Sequence, residues 1–227
     1  MTNAVQEQVL AMLNLQHSMN TLVHAEWVKQ SYPWYRAAWL ESAELLDHVG
    51  WKWWKHQEAD REQVILELVD IWHFALSDVL QASAADHPDS STSHFESCAR
   101  LIHQHLDSHR KLDSGGDLNK LKAGIESFAG ACLHTKRVDL ATLLQLCDLA
   151  SLEFDELYRK YIGKNVLNRF RQDHGYKDGS YIKIWGELGE DNEVLATLVN
   201  SLDTRNADFK EQVYSGLSRY YPKNACS

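Results

Sequence analysis

The sequence contains few residues that interrupt helices. Only 3 prolines and 11 glycines occur among its 227 residues. Because both residue types end or weaken helices, their scarcity favours long helices over strands joined by tight turns. No run of about 18 apolar residues, the length needed to cross a bilayer, is found either. We therefore expect a helical protein with no membrane partner.

Paired cysteine motifs are also missing. The four cysteines, Cys98, Cys132, Cys147 and Cys226, show neither C-x-x-C nor zinc-ribbon spacing, and such isolated cysteines are typical of a reducing compartment. The first residues lack the basic start and unbroken apolar stretch of a signal peptide. A cytoplasmic location is expected.

Positive charge is scarce too. Lysine and arginine number 23 against 32 acidic residues, which gives a formal net charge of −9. Duplex-binding proteins carry a basic excess, so polymeric nucleic acid is disfavoured as a partner. An acidic protein can still bind a small anionic ligand where metal ions and a local basic cluster supply positive charge.

Several common catalytic motifs are absent. Neither the phosphate-binding loop G-x-x-x-x-G-K-[S/T] nor the nucleophile elbow G-x-S-x-G occurs. His103, His105 and His109 include a pair at helical zinc spacing, but no H-E-x-x-H motif accompanies them. A surface role is favoured for these histidines.

Helical periodicity is what the sequence does contain. Apolar residues recur at helical spacing over about 4–24, 35–49 and 64–81, and a further helix is expected from about 140 to 163 or beyond. The predicted fold is an all-α bundle of about eight to ten helices.

The chain length suits one domain that spans residues 1–227. Its core is expected to comprise about 4–80 and 140–200. The intervening helices, in 94–140, could form a smaller appendage.

Two short acidic pairs carry the most informative chemistry. Glu41-x-x-Glu44 and Glu67-x-x-Asp70 each lie within a predicted helix, where side chains three residues apart share a face. If the two helices pack side by side, four carboxylates converge. Two such charges about 4 Å apart repel by roughly 4 kcal/mol at an effective dielectric near 20, so the cluster requires protons or cations.

A solvated helix face is the alternative for either pair alone. The second pair, however, lies in the apolar stretch ELVDIWHFAL, where a charge without a partner is costly. Metal binding is therefore favoured. Oxygen ligands suit Mg²⁺, with Mn²⁺ as a substitute, and two or more ions could neutralise phosphate charge and generate a hydroxide.

The acidic pairs and their surroundings resemble a known family. The pattern E-x-x-E … E-x-x-D resembles the signature of the all-α NTP pyrophosphatase superfamily, which includes MazG-like enzymes and dimeric dUTPases. Three segments resemble the dimeric dUTPases in the same order: ESAELLDHVGWKWWK, ELVDIWHFALS and YIGKNVLNRFRQDHGYKDGSYIKIWGELGEDN. The resemblance runs from about Leu13 to Asn192 and is weak across roughly 82–155.

The resemblance implies a homodimer that hydrolyses dUTP, and also dUDP, to dUMP in a Mg²⁺-dependent reaction. It implies that Glu41, Glu44, Glu67 and Asp70 are the metal ligands, and we predict that Glu41 also orients and deprotonates the attacking water. Two alternatives stay open. One is a related pyrophosphatase for another nucleotide, such as dCTP or a modified dNTP, and the other is a non-catalytic helical interaction module.

Polar and aromatic residues predict a base and sugar site. Gln16 and Asn20 lie one turn apart, and their amides match the donor and acceptor edge of uracil; the resemblance places the uracil-reading Gln and Asn here, with Asn168 nearby. An exposed polar stripe is the alternative. The other candidates are aromatic or imidazole side chains that could equally belong to the core, namely His73, Phe74, Trp53 and Trp54.

The region after Asn165 predicts a loop that binds the phosphates. It holds four glycines and alternates basic, aromatic and acidic residues, and a capped helix is expected to follow near Asp191. A cationic loop of this kind could close over a triphosphate, whereas a solvated loop is the alternative. The candidate phosphate ligands are Lys164, Arg171, Tyr176, Lys177 and Lys183. Asp191 and Asn192 are expected only to cap the helix.

Overall fold

The computed structural model describes residues 3–86, 92–112, 116–202 and 208–222. Within these residues it contains nine α-helices: α1 (Asn3–Val23), α2 (Trp34–Val49), α3 (Arg61–Asp86), α4 (Thr92–Ser108), α5 (Leu118–Thr135), α6 (Leu140–Leu149), α7 (Phe154–Asp173), α8 (Asp191–Ser201) and α9 (Phe209–Tyr220). Two 3₁₀ helices, Trp27–Gln30 and Gly186–Leu188, complete the regular elements. The predicted all-α fold is confirmed. Among the described helices, none is long and apolar enough to cross a membrane.

The chain divides into two compact units, residues 1–158 and 159–227, and the boundary falls inside α7. In the first unit, α2 packs along α3 and α5, and α1 packs on α3 and α4. In the second unit, α8 packs on α9. The single-domain organisation expected from the sequence stays a prediction.

Helix α3 is the centre of the first unit because it is apolar on most of its surface. A helix with this pattern is stable only when other helices cover it. Fully buried side chains line it, namely Ile65, Leu68, Val69, Ile71, Trp72, Ala75 and Leu76. Burial of each large apolar side chain contributes roughly 1.5–3 kcal/mol. Polar residues on α3 are therefore held within an apolar, rigid environment.

The connector between α2 and α3 turns sharply at Gly50, which ends α2. Gly50 has φ of 81°, a conformation that side chains disfavour, and an added Cβ would lie 2.9 Å from Cβ of Gln57. At the other end, the Asp60 carboxylate accepts the N–H groups of Glu62 and Gln63 at 3.1 and 3.2 Å, which caps the start of α3. The connector thus lets α2 fold back along α3.

The structure differs from the sequence prediction over residues 140–173. The prediction of a single helix from about 140 to 163 is wrong, because α6 ends at Leu149 and α7 begins at Phe154. Ser151 adopts φ of 55° in the break, where the Leu152 N–H donates to the Cys147 carbonyl at 2.8 Å. Helix α7 then continues to Asp173, so the loop after it covers residues 174–190 rather than beginning near Asn165.

Candidate active site

Three carboxylates from two packed helices converge in the first unit. Glu41 lies on α2, and Glu67 and Asp70 lie on one face of α3. One oxygen from each lies within 4.8 Å of the other two. Glu67 is only 8% exposed, and the other two are half-buried. We call this group the carboxylate triad.

The triad is electrostatically crowded. Burial, followed by a hydrogen bond with Glu67 and the charges of Asp70, Glu67 and Glu44, raises the pKa of Glu41 to about 8. At neutral pH, Glu41 therefore keeps a proton in the metal-free protein and shares it with Glu67. The proton performs the neutralisation that a cation would otherwise provide.

The triad fits a divalent cation such as Mg²⁺. Oxygen ligands about 2.1 Å from Mg²⁺ in octahedral geometry lie roughly 3–4 Å apart, and the three carboxylate oxygens here all lie within 4.8 Å of one another. The donor set consists of carboxylates, which such hard cations prefer. His48 was missed in the sequence analysis, although it follows Glu44 by one turn; its Nε2 lies 3.5 Å from Glu67 Oε1.

Glu44 occupies a different position from the other three acids. Its side chain is exposed, and it is not one of the three residues whose oxygens converge. Its charge nonetheless raises the pKa of Glu41, which places it near the triad. A role for Glu44 as the fourth ligand stays a prediction.

The predicted base-reading amides form a buried hydrogen-bond network with α3. Gln16 Nε2 donates to Asn20 Oδ1 at 2.9 Å, and Asn20 Nδ2 donates to Ser77 Oγ at 2.9 Å. Ser77 Oγ donates in turn to the His73 carbonyl at 2.9 Å. Gln16 and Asn20 are only 5% and 9% exposed, so they are not an exposed polar stripe.

The same network determines that the Nδ1 nitrogen of the His73 ring carries a proton. His73 Nδ1 lies 2.7 Å from Gln16 Oε1. Because the amide nitrogen of Gln16 is used toward Asn20, the oxygen faces His73 and can only accept. Nδ1 therefore carries a proton. His73, one turn after Asp70 on α3, joins the amides to the helix that carries the triad.

In the second unit, Arg171 forms a buried ion pair with Asp191. Arg171 Nε donates to Asp191 Oδ2 at 2.8 Å and Nη2 donates to Oδ1 at 2.9 Å. The expectation that Asp191 only caps α8 is wrong, because its side chain is fully buried against Arg171. Glu190 and Glu193 form the capping box of α8 instead.

Lys164 and Asn168 lie on α7, on the same side as Arg171, since one and two helical turns separate the three. Lys164 is 5% exposed, and its Nζ donates to Asn192 Oδ1 at 3.3 Å. The half-buried Asn168 accepts from Arg171 Nη1 at 3.3 Å. Lys160, 7% exposed, extends this row by one turn and was missed, although its spacing from Lys164 could have indicated it.

Comparison with known proteins identifies the family. A family model described as dUTPase matches residues 8–176, which is most of the chain. The chain belongs to the dimeric, all-α dUTPase family. Its activity is accordingly that of a dUTP diphosphatase. No curated protein matches the chain.

The dUTPase match includes the triad and the amide network but ends at Tyr176. Tyr176 is half exposed and lies under the Arg171 guanidinium, 5.8 Å from ring centroid to Cζ. Lys177 and Lys183 are exposed, and Lys183 Nζ lies 3.2 Å from Glu190 Oε2. The three predicted loop ligands therefore remain accessible to a ligand.

The aromatic candidates of this dUTPase fall into two groups. Phe74 stacks on Trp34 with ring centroids 6.3 Å apart, so it is part of an aromatic cluster between α2 and α3. Trp53 and Trp54 are 88% and 56% exposed and contact each other edge to face at 5.2 Å. The connector thus exposes two indoles, and their role in closing on a base stays a prediction.

Proposed function

We propose that the chain hydrolyses dUTP, and also dUDP, to dUMP with release of pyrophosphate or phosphate. The observation that supports this reaction most directly is the convergence of Glu41, Glu67 and Asp70. Three carboxylates this close require a cation or a proton, and the substrate is a polyanion whose hydrolysis benefits from cations. The family match supports dUTP as the substrate.

Glu41, Glu67 and Asp70 would hold Mg²⁺, and Glu44 would complete the site when a second ion binds. Mn²⁺ would substitute for Mg²⁺. A bound ion of this kind neutralises phosphate charge and lowers the pKa of coordinated water. Glu41 is half-buried and thus open to water, which supports its role as the group that orients the attacking water and accepts its proton.

The buried amides are suited to recognise the base. Gln16 and Asn20 are held by His73 and Ser77, so their orientations are fixed before a ligand binds. Preorganised donors and acceptors discriminate best because an analogue that lacks a matching group leaves them unsatisfied. Asn168 stays a predicted base ligand, while Phe74, Trp53 and Trp54 would enclose the base and sugar.

The phosphates would be bound by the cations of the second unit. Lys164 and Arg171 lie on α7, whereas Tyr176, Lys177 and Lys183 lie in the loop at residues 174–190. Their positive charge stands out in a chain of net charge −9. These side chains would stabilise the charge that develops on the leaving pyrophosphate.

A homodimer and a cytoplasmic location complete the proposal. Exposed apolar side chains, including Leu40 at 53% and Trp53 at 88%, support an interface between two copies of the chain. Cys98, Cys132 and Cys147 are free and buried, as is typical of a reducing compartment.

Turnover of a nucleotide panel tests the proposal. The purified chain is incubated with Mg²⁺ and dUTP, dUDP, dTTP, dCTP or dATP, and dUTP should be hydrolysed fastest. Equal turnover of dCTP or dTTP would contradict the base assignment and favour a related pyrophosphatase. Glu67→Gln and Asp70→Asn should lose activity by about 100-fold or more, whereas Glu62→Gln, an exposed acid on the same helix, should retain it.

A further inference from the structure

The carboxylate of Asp191, the first residue of α8, is the centre of a buried cluster in the second unit. Asp191 is 0% exposed. It accepts two hydrogen bonds from Arg171, at 2.8 and 2.9 Å, and one from the Tyr181 hydroxyl at 2.8 Å. A fully buried charge is tolerated only when it is paired and hydrogen-bonded in this way.

Asp191 connects three parts of the chain. Its side chain binds Arg171 on α7 and Tyr181 in the loop at residues 174–190, and its backbone N–H donates to the Lys183 carbonyl at 3.0 Å. The loop is also joined to α7 by the Tyr176 N–H, which donates to the Arg171 carbonyl at 2.9 Å. The loop that carries the exposed cations is therefore fixed at several points around one carboxylate.

The contacts of Arg171 leave it little rotational freedom. A guanidinium has five N–H groups, and four donate within the second unit: two to Asp191, one to Asn168 and one to Asn192. One N–H of Nη1 has no partner among the described residues. Arg171 therefore keeps its charge and a single remaining donor in a fixed orientation.

Tyr181 strengthens the cluster as a donor. Burial, and then its hydrogen bond to Asp191, raises the pKa of Tyr181 far above its ordinary value. The hydroxyl thus stays protonated over the range in which enzymes work, so Asp191 keeps its third donor.

We propose that Asp191 is a positioning residue for the triphosphate, which acts by holding Arg171 and Tyr181 and thereby fixing the cations of the loop. The inference rests on the proposed function, in which Arg171 and the loop bind phosphate. Asp191 does not touch the ligand in this role. Its effect passes mainly through Arg171, because among the described residues Arg171 is the one that joins both of its oxygens to α7, while Tyr181 supports the same carboxylate from the loop.

A double-mutant cycle tests this role. The single variants Asp191→Asn and Arg171→Gln and the double variant are compared with the unaltered chain in dUTP hydrolysis and in inhibition by pyrophosphate and by dUMP. Each variant is first melted, and the kinetics are measured well below its Tm. Glu193→Gln is the matched control, because it removes an exposed charge from the same turn of α8 and keeps an acceptor for the Glu190 N–H.

Asp191→Asn should lower kcat/KM by about 10- to 100-fold, since misplacement by about 1 Å costs on the order of 100-fold. It should weaken inhibition by pyrophosphate by a similar factor and leave inhibition by dUMP within about threefold. In the Arg171→Gln background the same change should add less than about twofold, because residues that act as one unit are not additive. The rise in Tm on Mg²⁺ addition should persist, and Glu193→Gln should behave like the unaltered chain.

Three outcomes would overturn the inference: pyrophosphate inhibition unchanged in Asp191→Asn, equal weakening of pyrophosphate and dUMP inhibition, or additive effects in the double variant. If Asp191→Asn does not fold, the variant Tyr181→Phe tests the positioning role instead. It should weaken pyrophosphate inhibition by at least about threefold, and no change would refute the role. If the unaltered chain does not hydrolyse dUTP, the proposed function fails separately. The role of Asp191 is then tested by calorimetry, which compares the affinity for pyrophosphate of the unaltered chain and of Asp191→Asn.

Discussion

Replacement of Glu41 by glutamine should stabilise the metal-free protein while abolishing its response to Mg²⁺. In the folded chain, burial and then the neighbouring Glu67, Asp70 and Glu44 raise the pKa of Glu41 from its ordinary 4.5 to about 8. In the unfolded chain the group ionises normally. Folding at neutral pH therefore requires uptake of a proton, which glutamine does not need, and the glutamine amide can still donate to Glu67.

The sign and size of this effect follow from linkage. A raised pKa makes the folded state most favourable below pH 4.5, and that stability is lost as the pH rises toward about 8. At about 1.4 kcal/mol per pKa unit, the cost at pH 7 is on the order of 3 kcal/mol. Because Glu41 is only partly buried, solvent screening reduces this cost to about 1–2 kcal/mol. Glu41→Gln should recover this amount, equivalent to about 2–8 °C in Tm for a chain of this size.

Denaturant unfolding in EDTA at pH 5, 7 and 8 measures the effect. The unaltered chain should lose stability across this range, while Glu41→Gln should lose less and Glu62→Gln should follow the unaltered chain. Saturating Mg²⁺ should then stabilise the unaltered chain through linked binding but not Glu41→Gln. The reasoning is refuted if Glu41→Gln is less stable than the unaltered chain in EDTA at pH 7.

Three further predictions follow from the first unit. Mg²⁺ affinity, measured by calorimetry, should fall about tenfold per pH unit below pH 8, because binding displaces the proton of Glu41; a flat profile would contradict this. Gly50→Ala should cost about 1–3 kcal/mol of stability in denaturant unfolding, since its φ is 81° and the added Cβ would lie 2.9 Å from Gln57 Cβ. Ser77→Ala removes the hydroxyl oxygen that accepts the Asn20 Nδ2 hydrogen bond and should raise KM for dUTP severalfold in steady-state assays, with the Mg²⁺-induced rise in Tm unchanged. Equal loss toward dTTP would argue against a role in base recognition.

The carboxylate triad could be predicted from the sequence because its information is local. Spacing of three residues places Glu67 and Asp70 on one face of a helix, and the apolar stretch around them indicates burial. The short connector that ends α2 at Gly50 then makes antiparallel packing of α2 and α3 the simplest arrangement. Three of the four acids accordingly meet, whereas the exposure of Glu44 depends on the rotation of α2, which spacing does not determine.

The cluster around Asp191 could not be predicted in this way. Arg171 and Asp191 are twenty residues apart, and an acidic residue at the start of a helix is normally explained by the helix dipole. The break at Ser151 is similar, because neither proline nor glycine marks it and the left-handed conformation of a serine leaves no sequence signal. Both features arise from tertiary packing, which overrides local preference.

The position of the triad on α3 explains how the fold tolerates it. The acids cost about 1–2 kcal/mol at neutral pH without a cation, a substantial share of the 5–15 kcal/mol that stabilises a typical domain. The same helix buries Leu68, Ile71 and Trp72 completely, and each contributes roughly 1.5–3 kcal/mol. The apolar neighbours thus outweigh the electrostatic cost and hold Glu67 and Asp70 rigid. This arrangement suits the proposed capture of cations, because acids that cannot move apart keep their shared proton until an ion binds and displaces it.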